Sequence, residues 1–315
     1  MYWNGVPGCA SQIAVSANNF PVMIACGGGI VFYESPNVQQ CTTSGGLKTC
    51  VPQWTATNTT TAAYIADNID GNFWMTDTAG AQWVAGDTGT GNGGFTGNWG
   101  EVSTSLNDVP ACMTSIAVAH SENDPLSVVF MNPPSNGVIP RLWGVECHGS
   151  PYGTGYGALW SLPIGLYDQE IVASRTWQQQ GAAQGNEATQ ITLFTDEDNT
   201  SITQNPWVVG NGFIFYFDGQ SYQLQNAAPA DVTYATDHYI VAGGSVYYWN
   251  GTADGGGTAT WTYVIGPTPN FPIKQIAWSP AVPNTPNGTI GPSALWANDE
   301  YGNIYYMYDA PPPPR

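Results

Sequence analysis

The sequence predicts an all-β protein, a closed six-bladed β-propeller with four strands in each blade. Helical spacing of apolar residues is nearly absent, whereas short runs of β-branched and aromatic residues recur, each after a glycine or a polar turn. The 315 residues include 38 Gly and 24 Pro, which is typical of many tight turns. Similar segments also recur at intervals of about 45–60 residues, which suits one blade each.

The repeats indicate which strand of a blade each segment forms. NGVPGCASQIAVS (4–16) matches NDVPACMTSIAVA (107–119), and NFPIKQIAWS (270–279) is a weaker copy. We interpret the IAV part of each copy as an inner strand. Counting fainter copies as well, six IAV-type positions fall near residues 13, 63, 116, 171, 232 and 276. A W-x-x-V pattern at 3–6, 99–102 and 261–264 predicts outer strands.

The two ends of the sequence predict that the first strand closes the ring. The last unit has no W-x-x-V strand of its own, and the chain begins with one at 3–6. We therefore expect the first strand to complete the last blade, which hides both sheet edges. The prediction is one propeller domain over residues 1–309 and a mobile Pro-rich tail over 310–315. A propeller of seven blades is the main alternative.

The net charge of the chain excludes some classes of binding partner. Five basic residues against 23 acidic ones give a net charge of −18. Nucleic acid is excluded as a partner, because phosphate binding needs clustered Lys and Arg. The same acidity argues against binding to an anionic membrane, and no apolar run is long enough to span a bilayer.

The cysteines predict an oxidising compartment. None of the six lies in a CxxC pair, so three disulfides are favoured over a zinc site or over buried free thiols. They are Cys9, Cys26, Cys41, Cys50, Cys112 and Cys147. A bridge between Cys41 and Cys50, which bracket TTSGGLKT, is the one pairing that we predict. Four N-x-S/T sequons, at Asn58, Asn199, Asn250 and Asn287, are compatible with a secreted glycoprotein whose leader has been removed. DNIDGN (67–72) is interpreted as a blade turn and not as a calcium site, so no metal is expected.

Candidate site residues are polar and aromatic side chains near the ends of predicted inner strands, since some of these must line the axial channel or a face. Arg141 and Arg175 are also included, because they are the arginines inside the predicted domain. The candidate catalytic donors are His120, Arg141, Arg175 and His238. The candidate substrate-binding aromatics are Trp177, Tyr234 and Trp278. The alternative for each is structural: hydrogen bonding by the histidines, ion pairing by the arginines and core packing by the aromatics.

The order of an outer W-x-x-V strand, an inner IAV strand and a glycine turn before an aromatic strand resembles fungal six-bladed propellers. These include the fucose-binding lectins of cup fungi, the tectonin lectins and the hetero-Diels–Alderases of tropolone–sesquiterpenoid biosynthesis. Resemblance to the last group implies an enzyme that joins a quinone-methide heterodiene to a sesquiterpene alkene, without a cofactor. Resemblance to the lectins implies glycan binding.

The chemistry of the residues favours an enzyme over a lectin. Fucose-type sites use an Arg and a Glu in each blade, and only Arg141 and Arg175 lie inside the domain. Divergent repeats also favour one specialised site, because a multivalent lectin benefits from many equal ones. A pericyclic enzyme needs only an apolar aromatic pocket and one or two hydrogen-bond donors. We therefore predict a biosynthetic enzyme of hetero-Diels–Alderase type that acts on small molecules. A glycan-binding lectin is the alternative, and a non-catalytic secreted scaffold is a further one.

Overall fold

The computed structural model of the chain describes part of its residues. These are residues 3–15, 21–34, 40–44, 47–51, 54–57, 61–67, 73–85, 99–102, 105–106, 109–110, 112–118, 141–147, 157–163, 166–167, 170–171, 177–181, 188–193, 206–225, 227–250, 260–265, 271–279 and 294–308. Over these residues the secondary structure is entirely β, in six four-stranded and three two-stranded antiparallel sheets. The described part contains no helix with the length and apolar character that crossing a membrane requires.

Each four-stranded sheet is one blade, and its strands are given from the innermost to the outermost. Blade 1 consists of Ala10–Val15, Pro21–Ala25, Val31–Glu34 and Trp54–Ala56. Blade 2 consists of Ala62–Asp67, Phe73–Asp77, Gln82–Ala85 and Gly100–Val102. Blade 3 consists of Met113–Val118, Arg141–Glu146, Leu159–Pro163 and Gln178–Gly181.

The second half of the chain forms the other three blades. Blade 4 consists of Ala188–Thr192, Trp207–Gly210, Phe213–Phe217 and Tyr222–Leu224. Blade 5 consists of Val232–Thr236, Tyr239–Ala242, Ser245–Trp249 and Trp261–Ile265. Blade 6 consists of Ile273–Ser279, Ala294–Asp299, Ile304–Tyr308 and Asn4–Val6. The hairpins pair Gln40–Ser44 with Leu47–Val51, Ser105–Leu106 with Val109–Pro110, and Leu166–Tyr167 with Glu170–Ile171.

The hydrophobic core lies between the blades. The described residues form six apolar clusters, and each cluster joins two adjacent blades. The cluster between blades 6 and 1 packs Ile13 and Val15 against Trp296 and Ile304, so the sequence of interfaces returns to its start. The blades therefore form a closed ring, and the prediction of a six-bladed propeller is confirmed.

The first strand closes this ring as the sequence predicts. Asn4–Val6 pairs antiparallel with Ile304–Tyr308, with Asn4 opposite Tyr306 and Val6 opposite Ile304. The Trp3 ring lies 6.5 Å from the ring of Tyr305. The N-terminal strand thus covers what would be an exposed edge of blade 6.

One predicted inner strand is wrong. Residue 171 lies in the small hairpin of Leu166–Tyr167 and Glu170–Ile171, which is inserted between the third and outermost strands of blade 3. The innermost strand of blade 4 is instead Ala188–Thr192. Equal spacing fails here because the insertions of blade 3 lengthen it, so the next blade begins later in the sequence. The other five positions do lie in innermost strands.

The two faces of the ring differ. At four blade junctions, the carbonyl oxygen of a glycine in the turn between the second and third strands accepts the N–H of the first residue in the next innermost strand. These bonds join Ala62 to Gly29, Val232 to Gly212, Ile273 to Gly244 and Ala10 to Gly302, at 2.8–3.1 Å. We call this the glycine-turn face. The opposite face, where the innermost strands end at residues 15, 67, 118, 192, 236 and 279, is called the strand-end face.

Two disulfides occupy equivalent positions in blades 1 and 3. Cys9–Cys26 and Cys112–Cys147 each join the residue before the innermost strand to the residue after the second strand, with a Cα–Cα distance of 5.4 Å. These pairings confirm the predicted disulfides for four of the six cysteines. The backbone of Cys41 lies opposite that of Cys50 in a hairpin, but their side chains lie outside the described residues, so this bridge stays a prediction.

Replacing both Cys112 and Cys147 with serine is expected to lower the free energy of unfolding by about 3–4 kcal/mol, because the bridge closes a loop of 35 residues. Urea unfolding without reductant measures the loss. The matched serine pair at Cys9 and Cys26, which closes 17 residues, should lose slightly less. Unchanged stability of the Cys112–Cys147 variant would contradict this expectation.

Candidate functional site

The side chains of three predicted donors lie outside the described residues. His120 and Arg175 lie outside the described residues. The described part of Arg141 is its backbone, at the start of the second strand of blade 3 on the strand-end face. Because residue 171 does not lie in an innermost strand, the sequence argument that placed Arg175 and Trp177 after such a strand is wrong. All three donor roles remain predictions.

Trp177 lies between blades 2 and 3. It directly precedes the outermost strand of blade 3, is 3% exposed, and packs in the cluster that contains Trp74 and Met113. The Nε1 atoms of Trp177 and Trp74 are both buried, and neither has a hydrogen-bond partner among the described residues. This location is distinct from that of the other predicted aromatics.

The other three predicted residues come together between blades 5 and 6. Tyr234 and Trp278 pack in the same apolar cluster, and His238 lies in the turn that follows the innermost strand of blade 5. Tyr239 joins them: its ring is 5.2 Å from that of Tyr248 and 6.1 Å from that of Trp278. We call Tyr234, His238, Tyr239, Tyr248 and Trp278 the blade 5–6 aromatic cluster. Its members are at most 8% exposed.

A two-residue turn positions the imidazole in this cluster. Thr236 pairs with Tyr239, so Asp237 and His238 alone connect the two strands. The N–H of Asp237 donates to Thr192 Oγ1 in blade 4 at 3.0 Å, and the carbonyl oxygen of His238 accepts the N–H of Trp249 at 2.8 Å. The turn is therefore held both by its own blade and by the neighbouring one.

An imidazole–carboxylate contact and a neutral phenol are found at this cluster. His238 Nδ1 lies 2.9 Å from Asp237 Oδ1, and both side chains are buried. Burial raises the pKa of Tyr239, and the nearby Tyr248 and Asp237 raise it further. The Tyr239 hydroxyl consequently stays protonated at physiological pH.

Trp278 presents a buried donor that no acceptor in the described part of the chain satisfies. Among those residues its Nε1 has no hydrogen-bond partner, and Trp278 is 8% exposed. A buried donor left unpaired costs about 1–3 kcal/mol, so such groups call for an explanation. Indole N–H can only donate. An acceptor oxygen on a bound molecule is the chemistry that suits this atom.

Sequence reasoning missed Asp237, Tyr239 and Tyr248. The first two stand beside His238 in YATDHY, so a signal for them was present. Tyr248 comes from SVYYW, and its place depends on the strand register that sets it opposite Tyr239. Within the described residues, no three His, Cys, Asp or Glu side chains are grouped as metal ligands.

Comparisons with known proteins identify the fold. No protein-family model and no curated protein matches the sequence. A gluconolactonase from Xanthomonas campestris is 11% identical, with 97% of this chain and 89% of that chain covered at a TM-score of 0.55. A virginiamycin B lyase from Staphylococcus aureus, in a catalytically inactive form with quinupristin, is 14% identical, with coverages of 96% and 98% and a TM-score of 0.48. YCF48 from Cyanidioschyzon merolae is 11% identical, with 98% of both chains covered and a TM-score of 0.48. The similarity to the gluconolactonase, at a TM-score of 0.55, shows the fold alone. By its fold, this chain is a six-bladed β-propeller.

Proposed function

We propose that the protein is a propeller enzyme of the fungal hetero-Diels–Alderase type. It joins a quinone-methide heterodiene and a sesquiterpene alkene at the blade 5–6 aromatic cluster. The observation that carries this proposal is the buried Nε1 of Trp278, which has no partner within the described residues and lies in an aromatic cluster whose His238 contacts Asp237. The two disulfides support a protein of the secretory pathway.

The proposed reaction uses few polar groups. When the carbon–carbon bond forms ahead of the carbon–oxygen bond, electron density builds up on the carbonyl oxygen of the heterodiene. A donor aimed at that oxygen stabilises the transition state, and its effect is larger in apolar surroundings than in water. Trp278 supplies such an N–H, and the Tyr239 phenol near it stays neutral, so it places no negative charge against the developing one. Aromatic rings would hold the apolar alkene next to the heterodiene.

Differences between the blades support one site instead of several equal ones. Tyr234 follows a register shift near the start of its innermost strand, and the same place occurs in every blade. The residues there in blades 1, 2, 3, 4 and 6 are Gln12, Tyr64, Ser115, Gln190 and Gln275. Gln12 and Gln190 bond to the next innermost strand. A lectin with repeated sugar sites would favour repetition at such positions.

Replacing Trp278 with phenylalanine is the test of this function. The change removes the N–H and keeps an aromatic ring, so we expect kcat/KM of the folded protein to fall about 10–100-fold. Product formation from a quinone-methide precursor and a sesquiterpene alkene is measured by chromatography and mass spectrometry, with the uncatalysed rate subtracted.

Trp143 provides the matched control. Its Nε1 is also buried and has no partner in the part of the chain that the structure describes, but Trp143 packs between blades 3 and 4. Trp143→Phe should therefore leave turnover unchanged. Equal losses in the two variants, or no loss in Trp278→Phe, would contradict the proposed role of Trp278. Binding to a glycan array without turnover by the native protein would favour the lectin alternative, and neither activity would favour the scaffold.

A further inference from the structure

We infer that Asp237 is a positioning residue that holds the neutral imidazole of His238 in its Nδ1–H tautomer. Nε2 is then the nitrogen that can accept a proton. The inference rests on the proposed function for the use of this nitrogen in the blade 5–6 aromatic cluster. The tautomer itself follows from the geometry of the pair.

The contact between the two side chains determines where the proton lies. Asp237 Oδ1 is 2.9 Å from His238 Nδ1, and an ionised carboxylate can only accept a hydrogen bond. In the neutral ring the nitrogen that faces it must therefore carry the hydrogen. The His238 side chain is 5% exposed and that of Asp237 is 11% exposed, so water competes little for this bond.

The backbone of the turn at Asp237 does not itself require a carboxylate. Its φ is 45°, in the left-handed region that costs most residues other than glycine about 1–2 kcal/mol. Two nearby two-residue turns use Asn211-Gly212 and Gly243-Gly244 at positive φ. Glycine or asparagine would thus serve the backbone of the turn at least as well, and what aspartate adds is an anion beside His238.

The anchors of the turn do not depend on the Asp237 side chain. Thr192 Oγ1 accepts the backbone N–H of Asp237, and Trp249 donates to the carbonyl of His238. The Asp237 carboxylate can therefore be replaced while the backbone of the turn keeps both of these anchors.

Replacing Asp237 with asparagine tests the inference directly. Asparagine tolerates the left-handed φ and keeps the backbone anchors, while its amide can donate to Nδ1 and so favour the Nε2–H tautomer. Long-range nitrogen–proton NMR of protein labelled at its three histidines, above the pH at which the ring protonates, reads the tautomer. We expect Nδ1–H in the native protein and mainly Nε2–H in the variant. The unfolding midpoint should change little, and kcat should fall at least about tenfold.

Two further variants are needed to interpret the NMR spectra. His238→Gln identifies which resonance belongs to His238. Asp231→Asn is the matched control, because Asp231 also has a positive φ, of 61°, yet is exposed. It should leave the tautomer and the turnover unchanged.

The possible results separate this inference from the proposed function. Nε2–H in the native ring, or Nδ1–H retained in Asp237→Asn, would overturn the inference whatever the activity. A switch of tautomer together with loss of turnover supports both. A switch of tautomer with full turnover supports the positioning by Asp237 and counts against the proposed function at this cluster.

Discussion

Alanine in place of Gly302 is expected to lower the free energy of unfolding by about 2–5 kcal/mol. Gly302 has a φ of 84°, which costs an alanine about 1–2 kcal/mol. An added Cβ would also collide with Cys26 Sγ, lie 2.7 Å from Cys9 Sγ and lie 2.9 Å from the carbonyl oxygen of Ala10. A disulfide and a backbone carbonyl cannot move aside as a flexible side chain can, so overpacking adds about 1–3 kcal/mol.

Gly27 separates the two contributions to this loss. Its φ is 77°, but an added Cβ would meet no atom within 4 Å. Gly27→Ala should therefore lose only the backbone cost, about 1–2 kcal/mol. Equilibrium unfolding in urea, followed by tryptophan fluorescence, compares the variants. If both lose the same amount, the blade 6–1 junction accommodates the methyl group and tight packing there is not what stabilises the closed ring.

The fold was predictable because similar sequence segments recur at equivalent places in different blades. Cys9 and Cys112 stand at the same place in NGVPGC and NDVPAC, and each directly precedes an innermost strand and forms a disulfide. The ring closure was also readable, since an outer-strand pattern at Trp3 complements a last unit that has none. Blade 4 was misplaced because its innermost strand reads ATQIT and the insertions of blade 3 break the spacing.

The candidate site was only partly predictable. Tyr234, His238 and Trp278 were each selected from their positions along the chain, but their meeting depends on how blades 5 and 6 pack. Trp177 was selected by the same reasoning and lies between blades 2 and 3. Sequence treats Asp237 as an ordinary turn residue, because its left-handed φ and its contact with the imidazole exist only in three dimensions.

Side-chain amides link neighbouring innermost strands around the axis. Gln190 Nε2 donates to the carbonyl oxygen of Ala235 at 2.5 Å, and Gln190 Oε1 accepts the N–H of the same residue at 2.8 Å. Gln12 makes the equivalent pair of bonds to Ile65, at 3.2 and 2.9 Å. One amide thus takes the place that an adjacent β-strand would fill, and satisfies buried backbone groups between blades.

Replacing Gln190 with leucine is expected to lower the free energy of unfolding by about 3–5 kcal/mol. The substitution leaves the buried N–H and carbonyl of Ala235 without these partners, at about 1–3 kcal/mol each. Thermal and urea unfolding measure the loss. Gln223→Leu is the control: Gln223 is exposed and bonds within its own turn, so its loss should stay near 0.5 kcal/mol or below. A Gln190→Leu loss no larger than that of Gln223→Leu would rule out the amide link as a source of stability.

The same substitution connects the ring to the proposed chemistry. Ala235 lies in Val232–Thr236, the strand that carries Tyr234 and leads directly to Asp237. Loosening this strand should therefore reduce turnover even where the protein remains folded, because the donors of the blade 5–6 aromatic cluster would no longer be held in place. Gln12→Leu should cost similar stability, since its two bonds are equivalent, but it acts between blades 1 and 2 and should leave turnover of the folded protein intact. Equal losses of turnover in the two variants would mean that the ring responds as a whole, and that the blade 5–6 cluster is not its particular site.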